Sequence, residues 1–248
     1  MLRRHSRARR TSSNTRVISI AAAHTPWSRA LIAEYDGLNA TMSIWSNTQT
    51  PHQYRGAFAD MMDVPEQQVR VFAHDVGGGF GPKAVMYPEQ LSVPACAMLT
   101  GRPVKWVEDR REHFVCATQE RDQYWDGQMA LDDEGNILGY RVNLLHDNGA
   151  YLPWGVVAPY IASVTVPGPY VVPAYEINTR VVFTNRMPIS PVRGAGRPQA
   201  ATFTERMMDR AAEALGLDRA DIRRRNYVRP EQMPYSVGLV FRDGRPIV

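Results

Sequence analysis

A glycine-rich stretch, Val76–Lys83, has the residue types best suited to hold an oxygen-rich group through the backbone. Four glycines surround Phe80, so the main chain can approach a bound group closely and its N–H groups can donate to an oxyanion or a metal-bound oxo group. The preceding Val69–Ala73 alternates like a half-buried strand, and Pro82 suits the first position of a helix, whose N-terminus adds partial positive charge. The sequence therefore predicts a strand-to-helix turn that binds an oxygen-bearing ligand. A tight turn without a ligand fits the same residues.

A second loop combines arginine with glycine, in the stretch Arg193-Gly194-Ala195-Gly196-Arg197 directly before Pro198. This loop is also predicted to open a helix. By itself, Arg193 would most often be a solvent-facing charge or a carboxylate partner. Two such loops in one chain, taken with Gln49, instead indicate a single ligand that both loops face.

Three segments in this order resemble the molybdopterin-binding large subunit of the xanthine dehydrogenase, aldehyde oxidase and carbon monoxide dehydrogenase family. The resemblance covers roughly residues 26–248 and extends to the similar runs Arg206–Arg210 and Arg223–Asn226. The three segments are Ser46-Asn47-Thr48-Gln49, Gly78-Gly79-Phe80-Gly81 and Pro191-Val192-Arg193-Gly194-Ala195-Gly196-Arg197.

The resemblance implies a role for each matching residue. Gln49 would hydrogen-bond an oxygen ligand of molybdenum, and Arg193 would stand beside the substrate pocket, so these two are the candidate catalytic residues. In the glycine loop, Phe80 and Gly81 would donate their N–H groups to the apical oxo group. The residues expected to bind the cofactor are Gly78, Gly79, Phe80, Gly81, Gly194 and Ala195. No side chain of this chain is expected to ligate the metal.

The same resemblance implies an oxidoreductase: a fragment of a cytoplasmic molybdenum hydroxylase that hydroxylates an aldehyde or N-heteroaromatic carbon with water as oxygen source. The implied cofactor is molybdenum-molybdopterin, in the cytosine dinucleotide form. An iron–sulfur small subunit would carry 2Fe-2S clusters, a medium subunit would bind FAD, and the full enzyme would be a dimer of heterotrimers. The family's catalytic glutamate lies in a distal C-terminal region that this chain lacks, so we expect the chain alone to be inactive.

Two departures from the family pattern narrow the expected substrate. Carbon monoxide dehydrogenases carry a copper-binding cysteine after the loop arginine, where this chain has Gly194. Purine-oxidising members carry a glutamate after the glycine loop's lysine, where this chain has Ala84. The resemblance therefore favours the aldehyde or N-heterocycle branch.

Other functions remain open at this point. A phosphate-binding P-loop is excluded, because Lys83 follows Pro82 and is not followed by serine or threonine. The run Gly79–Ala84 does fit G-x-G-x-x-A, and Glu108 follows a predicted strand, so a Rossmann-like dinucleotide-binding domain is an alternative. A non-catalytic scaffold remnant is a second.

Composition and charge limit the classes of protein and partner that fit this sequence. The chain has 248 residues, of which 44% are apolar and 22% charged, as in soluble globular proteins. No run approaches the roughly 20 apolar residues of a membrane span. The net charge of +4 arises from six arginines in the first 16 residues, and subtracting them leaves −2 for residues 17–248, which argues against nucleic acid as a partner. Residues 1–20 are predicted to be a disordered or mis-assigned basic tail.

The two cysteines, Cys96 and Cys116, are too few for a four-cysteine iron–sulfur cluster or a cysteine zinc site. We expect two buried free thiols.

The pattern of elements predicts an α+β fold with mixed sheets and helices, forming one molybdopterin-binding domain over residues 21–248. Residues 149–175 are predicted to be irregular. The predicted elements are a hairpin at 31–45, a helix at 54–62, a helix at 84–99 closed by Gly101, a strand at 104–107, a hairpin at 123–146, a strand at 177–184, a helix from Pro198 to Gly216, and a helix at 219–227 capped by Asp218.

Overall fold

The computed structural model describes residues 9–18, 27–154, 156–240 and 243–247. Its strands are β1 (Arg9–Ile18), β2 (Ala30–Asp36), β3 (Thr41–Ser46), β4 (Val69–Phe72), β5 (Val104–Val107), β6 (Asp122–Leu131), β7 (Ile137–Asp147) and β8 (Tyr175–Val182). Its helices are α1 (Pro51–Met62), α2 (Glu89–Thr100), α3 (Arg110–Cys116), α4 (Val157–Thr165), α5 (Arg197–Leu215) and α6 (Arg219–Asn226). The predicted α+β class is confirmed.

The chain forms two compact units where the sequence predicted one domain. The glycine-loop unit comprises the described residues of 27–120 together with 187–193. The long-hairpin unit comprises β1 and the described residues of 121–186 and 194–248. Each unit has its own four-stranded sheet.

In the glycine-loop unit the sheet has the order β4-β3-β2-β5. The predicted hairpin is the antiparallel pair β2–β3, and β4 adds in parallel to β3. Alternate side chains on one face are buried with α1 and α2, because a strand points successive residues to opposite faces. The buried set includes Leu31, Ala33, Met42, Ile44, Phe58, Val69 and Ala97. This core holds β4 in place, from whose end the glycine stretch leaves.

The glycine stretch does not lead directly into an α-helix, so the predicted strand-to-helix turn is wrong. Pro82–Ala84 forms one 3₁₀ turn, and α2 begins only at Glu89 rather than at residue 84. Pro88 disfavours helical geometry at the residue before it, which delays the helix. The expected contribution of a helix N-terminus to ligand binding is therefore absent from this loop. The end of α2 at Gly101, in left-handed geometry, is as predicted.

The topology also removes the Rossmann alternative. A dinucleotide-binding βαβ unit would place β4 and β5 side by side in parallel. Here the two strands occupy opposite edges of the sheet, and β5 pairs antiparallel with β2.

In the long-hairpin unit the sheet has the order β1-β6-β7-β8. The predicted hairpin is confirmed as β6 and β7, and β8 runs parallel to β7. Helix α5 covers one face, where Phe203 stacks on Trp125 with ring centroids 5.0 Å apart. The helix ends at Gly216, and the Asp218 side chain caps α6 by accepting from the N–H groups of Ala220 and Asp221, both as predicted.

Three stretches differ from their predictions. Residues Arg9–Ile18 form strand β1, paired with β6, where a disordered or mis-assigned tail was predicted; the strand contradicts only the disordered alternative, and residues 1–8 and 19–26 lie outside the described residues. The stretch predicted to be irregular contains helix α4. Helix α3 was not predicted, although its capping box of Asp109 and Glu112 is a recognisable local signal.

The thiols of Cys96 and Cys116 are free, as expected, but both residues are exposed, so the prediction of buried thiols is wrong. Among the described residues, no helix is long and apolar enough to cross a membrane.

Candidate cofactor-binding site

The glycine loop is fastened on one side to the segment that carries Gln49. The N–H of Gln49 donates to the carbonyl of Lys83 at 3.0 Å, and the Thr48 hydroxyl donates to the same carbonyl at 3.1 Å. The Thr50 hydroxyl donates to the carbonyl of Ala84 at 3.1 Å. Three consecutive residues therefore hold the end of the loop through its backbone.

The side chain of Gln49 lies directly against the loop. Its Oε1 accepts a hydrogen bond from the Gly81 N–H at 2.9 Å. A Cβ at Gly79 would overlap the Gln49 side chain, so the close approach requires glycine at that position. Because the amide oxygen is bonded to the loop, the Nε2 group remains as the donor that Gln49 can offer to a ligand.

The segment Pro191–Arg193 holds the loop on its other side. The N–H of Arg193 donates to the carbonyl of Phe80 at 2.8 Å. Gly81 has a φ of +112°, and a Cβ there would overlap the carbonyl oxygen of Pro191. Phe80 itself has a φ of +53°, which is uncommon for a residue with a side chain. Contacts from both sides thus impose this backbone conformation on the loop.

The contacts on the two sides of the loop leave hydrogen-bond donors exposed at its surface. Among the described residues, none accepts a hydrogen bond from the Phe80 N–H, and Phe80 is 40% exposed. Gln49 is also exposed. A fixed backbone N–H and an oriented amide NH₂ on one exposed loop can together hold an oxygen atom that carries negative charge.

The structure brings together most of the residues predicted from the sequence. Gln49, Gly79, Phe80, Gly81 and the backbone of Arg193 form one set of contacts inside the glycine-loop unit. Gly81 differs from its expected role, because its N–H is bonded to Gln49 in this structure.

Three predicted residues lie outside this set of contacts: Gly78, Gly194 and Ala195. Gly78 lies in the loop with a φ of +82°. Gly194 and Ala195 belong to the long-hairpin unit, where they form a turn with φ values of +110° and +43°. The turn is closed by the Arg197 N–H, which donates to the Gly194 carbonyl at 3.1 Å, and α5 follows it as predicted.

Glu108, the acidic residue of the dinucleotide alternative, is part of a buried ionic network. It is 2% exposed and accepts from the Arg29 backbone N–H at 2.9 Å and from its Nε at 3.0 Å. His113 Nδ1 lies 2.9 Å from the same carboxylate. Although burial raises the pKa of Glu108, the hydrogen bonds and charge of Arg29 bring it below its usual value. The carboxylate is thus committed to the protein and is not available to a ribose.

Three residues that position the loop are absent from the predicted site: Thr48, Thr50 and Lys83. The two threonines flank Gln49, and hydroxyl groups beside a candidate ligand-binding residue were an available signal. For Lys83 the sequence excludes the role of a P-loop lysine and indicates no other. Its burial, with 2% of its surface exposed, is visible only in the fold.

Comparison with known proteins identifies the family. Residues 27–227 match the model of the molybdopterin cofactor-binding domain. The chain is 36% identical over 214 residues to the 6-hydroxypseudooxynicotine dehydrogenase complex subunit gamma of Paenarthrobacter nicotinovorans, covering 85% of this chain and 27% of that protein. It is 34% identical to the carbon monoxide dehydrogenase large chain of Hydrogenophaga pseudoflava, with the same coverage of both chains.

A solved structure shows the same fold. Quinoline 2-oxidoreductase from Pseudomonas putida 86 superposes with a TM-score of 0.85 at 34% identity, covering 97% of this chain and 30% of that one. The chain thus spans between a quarter and a third of the length of the relatives that it matches. With most of its residues inside the family match and with sequence and fold in agreement, the chain belongs to the molybdopterin cofactor-binding domain family of molybdenum-dependent oxidoreductase large subunits.

Proposed function

We propose that this chain supplies the glycine-loop part of the molybdenum site in an enzyme that hydroxylates an N-heteroaromatic or aldehyde carbon. The observation that carries the proposal is the contact between Gln49 and Gly81, which leaves the Gln49 amide NH₂ and the Phe80 N–H as donors on one exposed loop. A bound molybdenum group presents oxygen atoms that need such donors. The donor set of the loop therefore fits the cofactor.

When bound, the molybdenum cofactor supplies a redox-active metal that accepts electrons from the substrate and activates water as the source of oxygen. The residues of this chain position the reacting groups. Gln49 and Phe80 stabilise a negatively polarised oxygen through fixed donors that need no rearrangement during the reaction. Gly81 contributes by orienting Gln49. The guanidinium of Arg193 stabilises negative charge that develops on the substrate.

The preference for N-heteroaromatic substrates draws on the relatives. The structurally similar oxidoreductase carries quinoline in its name, and quinoline is an N-heteroaromatic compound. Carbon monoxide is disfavoured as a substrate, because Gly194 follows Arg193 where a copper-binding cysteine would be needed.

The complete enzyme is proposed to contain more than this chain. Since relatives carry the names subunit gamma and large chain, we propose an iron–sulfur small subunit with 2Fe-2S clusters and a medium subunit with FAD as partners. We further propose the cytosine dinucleotide form of the cofactor, a dimer of heterotrimers and a cytoplasmic location. The chain by itself is proposed to be catalytically inactive.

Metal analysis tests the central proposal. The chain is expressed in cells that synthesise molybdopterin, purified, and analysed for molybdenum and pterin per polypeptide. The expected result is molybdenum and pterin at comparable levels in the wild type and strongly reduced levels in Gln49→Ala. A metal-free, pterin-free protein, or equal metal in both proteins, would count against the proposed site. Aldehyde and quinoline turnover by the chain alone would refute its proposed inactivity.

A further inference from the structure

Lys83 is a charged residue buried at the end of the glycine loop. Only 2% of its surface is exposed, and its Nζ donates to the carbonyl oxygen of Val76 at 2.6 Å. Val76 stands at the start of the loop, so this hydrogen bond connects the beginning of the loop to its end across the glycines. A hydrogen bond from a charged donor is about twice as strong as one between neutral groups.

The backbone of the same residue makes a second connection. The carbonyl of Lys83 accepts from the Gln49 N–H at 3.0 Å and from the Thr48 hydroxyl at 3.1 Å. One residue thus contacts the start of the loop with its side chain and the Gln49 segment with its backbone. Any displacement of Lys83 would move the Gln49 segment relative to the Phe80 and Gly81 amides.

Burying an ammonium group is costly, so its presence needs a compensating interaction. Burial lowers the pKa of Lys83 to about 8, against the attraction of the nearby Glu108 and with the repulsion of Arg110 and Arg29. An apolar side chain would fill the same space without this penalty. The contact with Val76 is the interaction that an apolar side chain would lack.

We propose that Lys83 is a positioning residue that closes the glycine loop and thereby holds the Gly81 N–H against Gln49 and fixes the Phe80 N–H in place. The importance of Lys83 for cofactor binding rests on the function proposed above. The effect of Lys83 on the shape of the loop is independent of that function and can be measured in the chain without cofactor.

The sequence offers a matched control, because Lys83 and Lys105 are its only lysines and Lys105 is exposed on strand β5. Amide hydrogen exchange of residues 77–81 is measured in the full 248-residue chain for the wild type, Lys83→Met and Lys105→Met. Methionine keeps most of the length and volume of lysine but has no ammonium. We expect exchange in the loop to accelerate by about tenfold to a hundredfold in Lys83→Met, as for the loss of one charge-assisted hydrogen bond, and to stay unchanged in Lys105→Met.

A chemical rescue separates the ammonium from the volume of the side chain. Lys83→Cys is made in a background with Cys96→Ser and Cys116→Ser, alkylated while unfolded with either an aminoethyl or a propyl group, and refolded. The aminoethyl product carries an ammonium at nearly the position of Nζ, whereas the propyl product has similar size without charge. We expect the aminoethyl product alone to recover wild-type exchange and the wild-type Gly81 amide chemical shift.

Equal exchange in the two alkylated proteins, or unchanged loop exchange in Lys83→Met, would overturn the proposal. If Lys83→Met does not fold, the two alkylated proteins alone decide, and equal failure of both to refold also overturns it. The failure of the function proposed above has a different signature. In that case the wild-type chain would bind no molybdenum, while the difference in loop exchange between the two alkylated products would persist.

Discussion

The Oε1 atom of Gln49 accepts a hydrogen bond from the backbone N–H of Gly81 at 2.9 Å, although 32 residues separate the two in the chain. This contact determines which half of the carboxamide is available to a ligand. With the oxygen bonded to the loop, Gln49 offers only N–H donors. The loop and the side chain therefore form one donor surface, and changes in either should affect both.

Gln49→Glu should separate these two contributions. A carboxylate oxygen can still accept from Gly81, so the loop should keep its shape, but the second oxygen is an acceptor that repels an oxygen-bearing ligand. We expect molybdenum per polypeptide to fall by tenfold or more, with little change in the exchange rate of the Gly81 amide. This estimate corresponds to about 1.4 kcal/mol, typical of one lost hydrogen bond. The measurements are metal analysis and hydrogen exchange.

The control for that substitution is Gln53→Glu, which changes an exposed glutamine in the first turn of α1 in the same chemical way. Its molybdenum content should equal that of the wild type. Equal loss of metal in both variants would show that added negative charge, rather than the Gln49 donor, is responsible.

Gly81→Ala tests the strained position of the loop. The φ of +112° is unfavourable for alanine, and its Cβ would overlap the Pro191 carbonyl oxygen. We expect a loss of about 2 kcal/mol or more in the free energy of unfolding, measured by urea denaturation. Gly56→Ala in α1 is the control, because a Cβ there meets nothing within 4 Å. It should stabilise the protein by about 0.5–1 kcal/mol. A similar loss in both variants would contradict the argument.

Local features of the fold were predictable because neighbouring residues determine them. Alternating apolar residues specified both hairpins, and Gly216 and Asp218 marked a helix end and a helix start. The start of α2 differs from its prediction, because the residues after Pro82 form only a 3₁₀ turn and the helix begins at Glu89.

Contacts between distant residues were not predictable in the same way. The sequence placed Gln49, Phe80 and Gly81 together only through the resemblance to a family. It did not show that Gly81 bonds Gln49, or that Arg29 encloses Glu108 across 79 positions. Such contacts depend on the sheet order, because the pairing of β2 with β5 is what brings Arg29 and Glu108 next to each other. The exposure of Cys96 likewise depends on which face of α2 packs on the sheet.

Glu108→Gln tests the buried ionic network of Arg29, Glu108 and His113. Glu108 accepts three hydrogen bonds from Arg29, and removing its charge leaves the buried guanidinium with only its longer pair to Glu89, at 3.4 Å. We expect a loss of about 3–5 kcal/mol in the free energy of unfolding, as for other broken buried pairs. The control is Glu176→Gln, which breaks the exposed pair with Arg141. It should cost less than about 1 kcal/mol. Comparable losses in the two variants, measured by urea denaturation, would contradict the assignment.

His146 should make the stability of the long-hairpin unit depend on pH. It is fully buried, its Nδ1 lies 3.1 Å from Gln123 Nε2, and burial lowers its pKa to about 4, against the attraction of Asp147. In the unfolded chain the pKa is about 6.5, so between these values the unfolded state binds more protons. The neutral histidine therefore makes its full contribution to the free energy of unfolding above about pH 6.5. As the pH falls from 6.5 to 4, this contribution decreases by up to about 1.4 kcal/mol per pH unit.

His146→Asn removes this titration while an Asn Oδ1 can still accept from Gln123. The free energy of unfolding of the wild type and the variant is measured from pH 4 to 8, and the difference between them should shrink as the pH falls from 6.5 to 4. His74→Asn, at an exposed position, should leave the wild-type slope unchanged. If the free energy of unfolding changes with pH at the same rate in the wild type and in His146→Asn over this range, His146 is not held neutral by burial. The acid sensitivity of the unit would then come from its carboxylates.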